Sequence, residues 1–266
     1  MTDWIFLSKH GEDQYIRRFA QGSGGHIVNT DDFDYEHSRA PLVLRGILKH
    51  KIMKRCWQDG RVFYYMDTGY LGNLPGAGNP RGWKLWHRIV PNDLQHSNVV
   101  ARPSDRWQRL GLQLHPRRHG RRVIVACPDQ KPCDFYGIDR ARWLQHTVAR
   151  LQQLTDRPVV VRERVANRQA RVRTDPLSRV LQDDVHALVT FNSNAAVESI
   201  LAGVPAIVMA PTHAAMPVAG QELDQIETPF WADQDQLHAW VCHLAYGQFH
   251  VDELSDGTAY RILNES

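Results

Sequence analysis

The sequence predicts an α/β fold built on parallel sheets. Short apolar runs alternate with helix-period segments along its 266 residues. Several runs are continuous and β-branched, as in Val123-Ile124-Val125 and Val159-Val160-Val161, the pattern of strands buried on both faces. A chain of this length forms one large α/β domain or two smaller ones.

Trp4–Leu7 reads as the first strand and Gln14–Ala20 as the helix after it. His26–Val28 and Leu42–Leu44 are the next strands, Ile47–Trp57 is a helix, and Val62–Met66 is a fourth strand. Residues 99–122, rich in Arg, His, Pro and Gly, read as a boundary, which gives domains 1–115 and 116–266. Val123–Cys127 opens the second domain. The helix Arg140–Leu154 follows, with Trp143, Leu144, Val148, Leu151 and Leu154 on one stripe. Val159–Val161, Ala187–Thr190 and Ala206–Met209 are further strands, and Ala195–Ala202 is a helix stopped by Gly203. The closing stretch Leu237–Leu263 reads as helical.

Composition excludes several classes. The apolar runs are far too short to span a bilayer, and the N-terminus has no basic leader, so a cytoplasmic location is expected. Cys56, Cys127, Cys133 and Cys242 are scattered with no C-x-x-C pair, which argues against a disulfide framework or a zinc ribbon. His115 and His119 are four apart, but Pro116 and Gly120 argue against a shared helix face, and no metal site is expected. Net charge is +3, unevenly placed. Residues 45–61 carry six Lys/Arg against one acid, 102–122 seven against one, and 222–266 nine acids against one Arg. Such asymmetry points to a polyanionic partner or to solvated helix faces.

The most informative segment runs from Ala187 through Asn192-Ser193-Asn194-Ala195-Ala196-Val197-Glu198 to Gly203-Val204-Pro205-Ala206 and Met209. Read physically, it is strand, polar turn, helix, glycine stop, strand. Asn192 or Ser193 is expected to cap the helix, leaving amide N–H groups free for an anion, with Glu198 one turn in to accept from ribose hydroxyls. The string resembles the donor-binding unit of GT-B glycosyltransferases, in particular those of capsule and lipopolysaccharide synthesis. The likeness covers about residues 122–263. It implies two Rossmann-like lobes with mainly parallel sheets facing a central cleft, a nucleotide-sugar co-substrate such as a UDP-sugar, no further cofactor, and a closing helix that returns to the first lobe. Arg162 and Arg164, after the strand Val159–Val161, are donor-diphosphate candidates by analogy, since guanidinium groups pair bidentately with phosphate. Asn192, Ser193, Asn194 and Glu198 complete the implied donor set. Residues 181–186 are similar to the short helix that precedes this turn in such enzymes.

In the first domain the strand Val62–Met66 leads into Asp67 and a glycine-punctuated loop. Ligands of open α/β sheets bind beyond the carboxyl ends of strands. Asp67 is therefore the candidate general base for an acceptor hydroxyl, or else a turn cap. Asp31, Asp32 and Asp34 form a second carboxylate cluster, expected to be a loop. Arg45, Lys49, Lys54, His87 and Arg88 are candidates for acceptor or phosphate binding.

Basic residues interleaved with aromatics fit nucleic acid. The segments 44–49 and 67–70 also resemble uncharacterised proteins of tailed bacteriophages. That likeness implies transfer of a sugar to 5-hydroxymethylpyrimidine, such as 5-hydroxymethylcytosine, in double-stranded DNA, after extrusion of the base. The alternatives are a cell-envelope or capsule polysaccharide glycosyltransferase, a non-catalytic nucleic-acid-binding protein, and a nucleotide-sugar epimerase of the same shape.

Overall fold

A computed structural model describes residues 3–47, 50–73, 84–163 and 176–265. The chain divides into two compact units: Met1–His96 with Arg102–Leu110 and Cys242–Ser266, and Ser97–Ala101 with Gly111–Val241. Strands and helices are numbered along the chain.

In the first unit β1 (Ile5–Ser8), β2 (His26–Asn29), β3 (Leu42–Arg45), β4 (Phe63–Thr68) and β5 (Trp86–Pro91) lie in one sheet. Its order among the described residues is β10-β5-β4-β3-β1-β2, where β10 is Gln248–His250. The pairs β1–β2, β1–β3 and β3–β4 are parallel, whereas β5 and β10 are added antiparallel. Helix α1 (Gln14–Ser23) starts where Asp13 accepts from the Tyr15 and Ile16 amides, and ends at Gly24 in the left-handed region, as capping chemistry demands. It buries Ile16, Phe19 and Ala20 against Trp4, Phe6, Val43, Tyr64, Met66 and Phe249, with Trp4 stacked on Tyr64 at 4.1 Å between centroids. Helix α2 (His50–Asp59) follows β3 in the chain.

Two expectations are corrected here. The segment Trp86–Pro91 is a strand, which its mixed polar and apolar residues do not predict. The closing stretch is not continuously helical: α8 (Gln234–Tyr246) gives way to β10, then α9 (Val251–Ser255) and α10 (Thr258–Asn264). The break is tertiary in origin. A Cβ on Gly247 would lie 2.6 Å from the His96 ring, and the Gln248 side chain bonds both the N–H and the C=O of Leu71. Helix α9 packs on α1 so tightly that a Cβ on Gly22 would lie 2.1 Å from the Leu254 carbonyl oxygen.

The second unit carries β6 (Arg122–Ala126), β7 (Val159–Arg162), β8 (Val185–Thr190) and β9 (Ala206–Val208), all parallel, in the order β7-β6-β8-β9. Between them run α4 (Gln130–Tyr136), α5 (Arg140–Leu154), α6 (Leu177–Val180) and α7 (Ala195–Leu201), whereas α3 (Asp105–Leu110) precedes β6 and belongs to the first unit. Helix α5 is capped by Asp139, and its Trp143–Leu154 stripe packs on Val123, Val125, Ala187, Val189 and Ile207. Strand β7 departs from the doubly buried expectation, because it is a sheet edge with Val160 and Val161 exposed. The short helix expected at 181–186 lies earlier, at α6, and Val185 already belongs to β8. The four-strand order β2-β1-β3-β4 of the first unit has the same form as β7-β6-β8-β9. In each, the chain leaves the first strand to one side and crosses to the other, creating a switch point at the carboxyl ends of the two central strands.

Candidate functional site

At the switch point of the second unit the chain leaves β8 through Phe191-Asn192-Ser193-Asn194 into α7. The buried Thr190 hydroxyl donates to the Ala126 carbonyl of β6 at 2.8 Å and accepts from the Ser193 amide at 3.3 Å. The Ser193 hydroxyl accepts from the Ala195 amide at 3.3 Å. The Ser193 carbonyl accepts from the Ala196 amide, and the Asn194 carbonyl from the Val197 and Glu198 amides.

This arrangement corrects the expectation of free amides. The N-cap is Asn194, in helical backbone conformation and with no side-chain cap bond. The amides of residues 193 and 195–198 are satisfied within the turn, and α7 has only seven residues, so its dipole is short. What the corner offers is side chains: Asn192, Ser193, Asn194 and Glu198 are all half-buried there. Arg162 ends β7, also half-buried, and its carbonyl accepts from Cys127 N–H at 3.0 Å. Arg164 lies outside the described residues.

Two further residues, outside the expected set, meet this corner. Arg140 opens α5 and donates from Nε to the Pro128 carbonyl at 2.8 Å, with Glu163 3.4 Å from Nη2. Its signal was its place directly after the Asp139 cap. His213 is buried, and its Nε2 lies 3.1 Å from the Ser193 carbonyl oxygen. Nothing in the sequence marked it, since the bond joins residues 20 apart.

In the first unit Arg45, Asp67, His87 and Arg88 are brought together at the carboxyl ends of β3 and β4. Arg45 Nη1 donates to Asp13 Oδ2 at 2.8 Å, and its guanidinium lies over the Tyr15 ring. Arg88 donates from Nη1 to the Thr68 carbonyl at 2.9 Å, holds Nη2 3.6 Å from Asp67 Oδ2, and lies over the Tyr70 ring. Both arginines are thus held by the fold. Burial works to raise the Asp67 pKa, but Arg88, the Tyr65 hydroxyl and the Thr68 amide outweigh it and hold the carboxyl below its ordinary value. His87 is fully buried against Tyr15, and burial, aided by Arg45, lowers its pKa to about 4. The ring is therefore neutral near pH 7 and offers a phosphate no charge. Its Nε2 donates to the Lys84 carbonyl, leaving Nδ1 buried without a hydrogen bond. Lys54 is exposed on α2, and Lys49 lies outside the described residues. The Asp31–Asp34 cluster lies in a turn, where Asp31 sits 3.9 Å from Lys9.

Much of the basic character counted along the sequence is spent inside the units. Arg61 is buried and donates to the Tyr35 and Ala40 carbonyls. Arg106 is buried and pairs bidentately with Glu253. Arg55 pairs with Glu36, Arg121 with Asp184, and Arg122 with Asp183. Among the described residues no group of three His, Cys, Asp or Glu could hold a metal ion, and no helix is long and apolar enough to cross a membrane.

No family model matches the chain, and no curated protein matches it in sequence. Solved structures do. The mixed α/β fold has counterparts among them. It is similar to the beta Kdo 2,4 transferase of Thermosulfurimonas dismutans KpsC, with a TM-score of 0.52 and 13% identity over 91% of this chain and 90% of that one. The beta Kdo 2,7 transferase of the same protein matches at a TM-score of 0.45 and 9% identity, over 97% of this chain and 99% of that one. At such identity the likeness is one of fold.

Proposed function

We propose that the protein is a GT-B-type glycosyltransferase that acts in the cytoplasm on a nucleotide-sugar. The observation that carries this reading is the fold shared over nine-tenths of both chains with a sugar transferase. The donor is held at the β6–β8 switch point, with Glu198 assigned to the ribose and Arg162 to the diphosphate. The acceptor hydroxyl oxygen attacks the anomeric carbon, the bond from that carbon to the phosphate oxygen breaks, and the hydroxyl proton passes to Asp67. No cofactor beyond the nucleotide-sugar is required. A depressed pKa keeps Asp67 ionised at neutral pH, though it makes the carboxylate a weaker base.

A glycan hydroxyl is the acceptor we favour, as in envelope or capsule synthesis, because the neighbouring structure is a Kdo transferase and the basic bands are largely paired internally. Transfer to 5-hydroxymethylpyrimidine in double-stranded DNA keeps one supporting observation, the exposed Lys51 and Lys54 on α2. The test is a transfer assay. Purified protein is mixed with UDP-, GDP- and CMP-sugars, Kdo included, and with oligosaccharides or 5-hydroxymethylcytosine duplexes, and products are read by mass spectrometry. A sugar mass gained by oligosaccharides alone supports the first reading, and by the modified nucleoside alone the second. Absence of any donor binding by calorimetry rejects both.

A further inference from the structure

We infer that His213 is a positioning residue for the Ser193–Asn194 turn, and through that turn for the nucleotide-sugar. This inference rests on the reading of the turn as the donor site. Ser193 is fixed from two directions. From the sheet side, its amide is held by Thr190, which is itself bonded to β6. From the other side, its carbonyl faces His213 Nε2 at 3.1 Å.

The ring's tautomer follows from its neighbours. Nδ1 accepts from the Ala215 amide at 2.9 Å, so Nε2 is the protonated nitrogen, and it donates to the Ser193 carbonyl. The loop that carries His213 is itself anchored. Trp240 of α8, fully buried, donates from Nε1 to the Ala214 carbonyl at 2.7 Å. Tyr136 bonds its hydroxyl to that of Thr212 at 3.1 Å and sets its ring against Phe191. An unbroken line of hydrogen bonds and short backbone steps therefore runs from the α8 indole to the turn carbonyl. The imidazole is the one link in that line whose side chain bonds a backbone group on either side of it. An apolar residue would fill the same space without the cost of burying two ring nitrogens. What the imidazole adds is direction, because a carbonyl held by a buried donor fixes how the adjoining Asn194 and Ser193 side chains are presented.

Two variants separate this role from simple packing. In His213→Asn the amide oxygen takes the place of Nδ1 and keeps the Ala215 bond, but the side chain is too short to reach Ser193. In His213→Gln the amide nitrogen reaches the Ser193 carbonyl and the Ala215 bond is lost. Both lose some thermal stability. We expect His213→Asn to raise the donor KM about tenfold, the loss of one buried hydrogen bond, with kcat little changed, and His213→Gln to restore most of the donor affinity. Wild-type donor affinity in His213→Asn, or donor affinity that follows melting temperature across the two variants, overturns the inference while leaving the glycosyltransferase reading intact. If wild-type protein binds none of the UDP-, GDP- or CMP-sugars, that reading falls instead. Amide hydrogen exchange over residues 193–197 then decides the positioning role. Faster exchange in His213→Asn than in His213→Gln supports it, and equal exchange rejects it.

Discussion

The Tyr65 hydroxyl donates to Asp67 Oδ2 at 2.7 Å. The bond stabilises the charged carboxylate, so Tyr65→Phe raises the Asp67 pKa. Protonation would disable a base, and the acid limb of kcat/KM is therefore expected to move to higher pH in the variant. Folding responds in the same sense. A depressed carboxyl contributes stability above its ordinary value of 3.8 that is lost as pH falls below it. A pH–rate profile of both proteins checks this. An acid limb that does not move assigns the base elsewhere.

His87 gives the opposite charge case. Its folded pKa of about 4 lies below the ordinary 6.5. Burial and Arg45 disfavour the charged ring, while Asp67 and Asp13 oppose them only partly. As pH falls through 6.5 the unfolded chain takes up a proton that the folded ring refuses. Stability should drop between about 6.5 and 4, by up to roughly 3 kcal/mol, and His87 adds no further loss below that. His87→Leu removes this contribution. Urea unfolding across that pH range reads it directly.

Arg106 ties three parts of the first unit together. It donates to the carbonyls of Ala245 and Gln248 and pairs with Glu253 at 2.7 and 2.8 Å. Arg106→Met leaves the half-buried Glu253 carboxylate only Arg109 at 3.7 Å and the His250 amide, and should cost about 3 kcal/mol. Adding Glu253→Gln should recover part of that loss in denaturant unfolding, and a second variant that recovers nothing would deny the pair its role.

Gly203 has φ of +82°, and a Cβ there would lie 2.1 Å from the Pro116 carbonyl oxygen. Gly203→Ala should therefore cost about 1–2 kcal/mol from backbone conformation alone, and more as Pro116 is displaced. Thermal unfolding measures it. Gly60→Ala has a similar positive φ but open space around it, and should cost less.

Most of this architecture was legible because its strands advertise themselves. Runs such as Val123–Ala126 and Leu42–Leu44 are apolar whatever their neighbours. Strands β5 and β10 were not legible: Trp86-His87-Arg88 and Gln248-Phe249-His250 mix polar with apolar residues, and they are strands because β5 pairs with β4 and β10 with β5. The stop at Gly203 was readable, since φ > 0 after a helix is a local demand. The fate of the arginines was not. Arg61 and Arg106 read as surface charge, but their partners lie 26 and 147 residues away. The polar turn at Ser193 announced itself, whereas the internal satisfaction of its amides depended on angles that no spacing encodes.

The interleaving of the two units bears on biosynthesis. On the ribosome, residues 111–241 emerge as one continuous stretch that holds most of the second unit and can fold as it appears. The earlier residues cannot finish. Until 242–265 leave the exit tunnel, β5 remains an open edge, the Phe249 and Leu254 share of the core is missing, and the Arg106 guanidinium has no counter-charge. Through that interval the nascent first unit offers an unpaired strand to any neighbouring chain. Its yield in a cell should therefore depend on holdase chaperones more than that of the second unit, whose residues have all emerged by then.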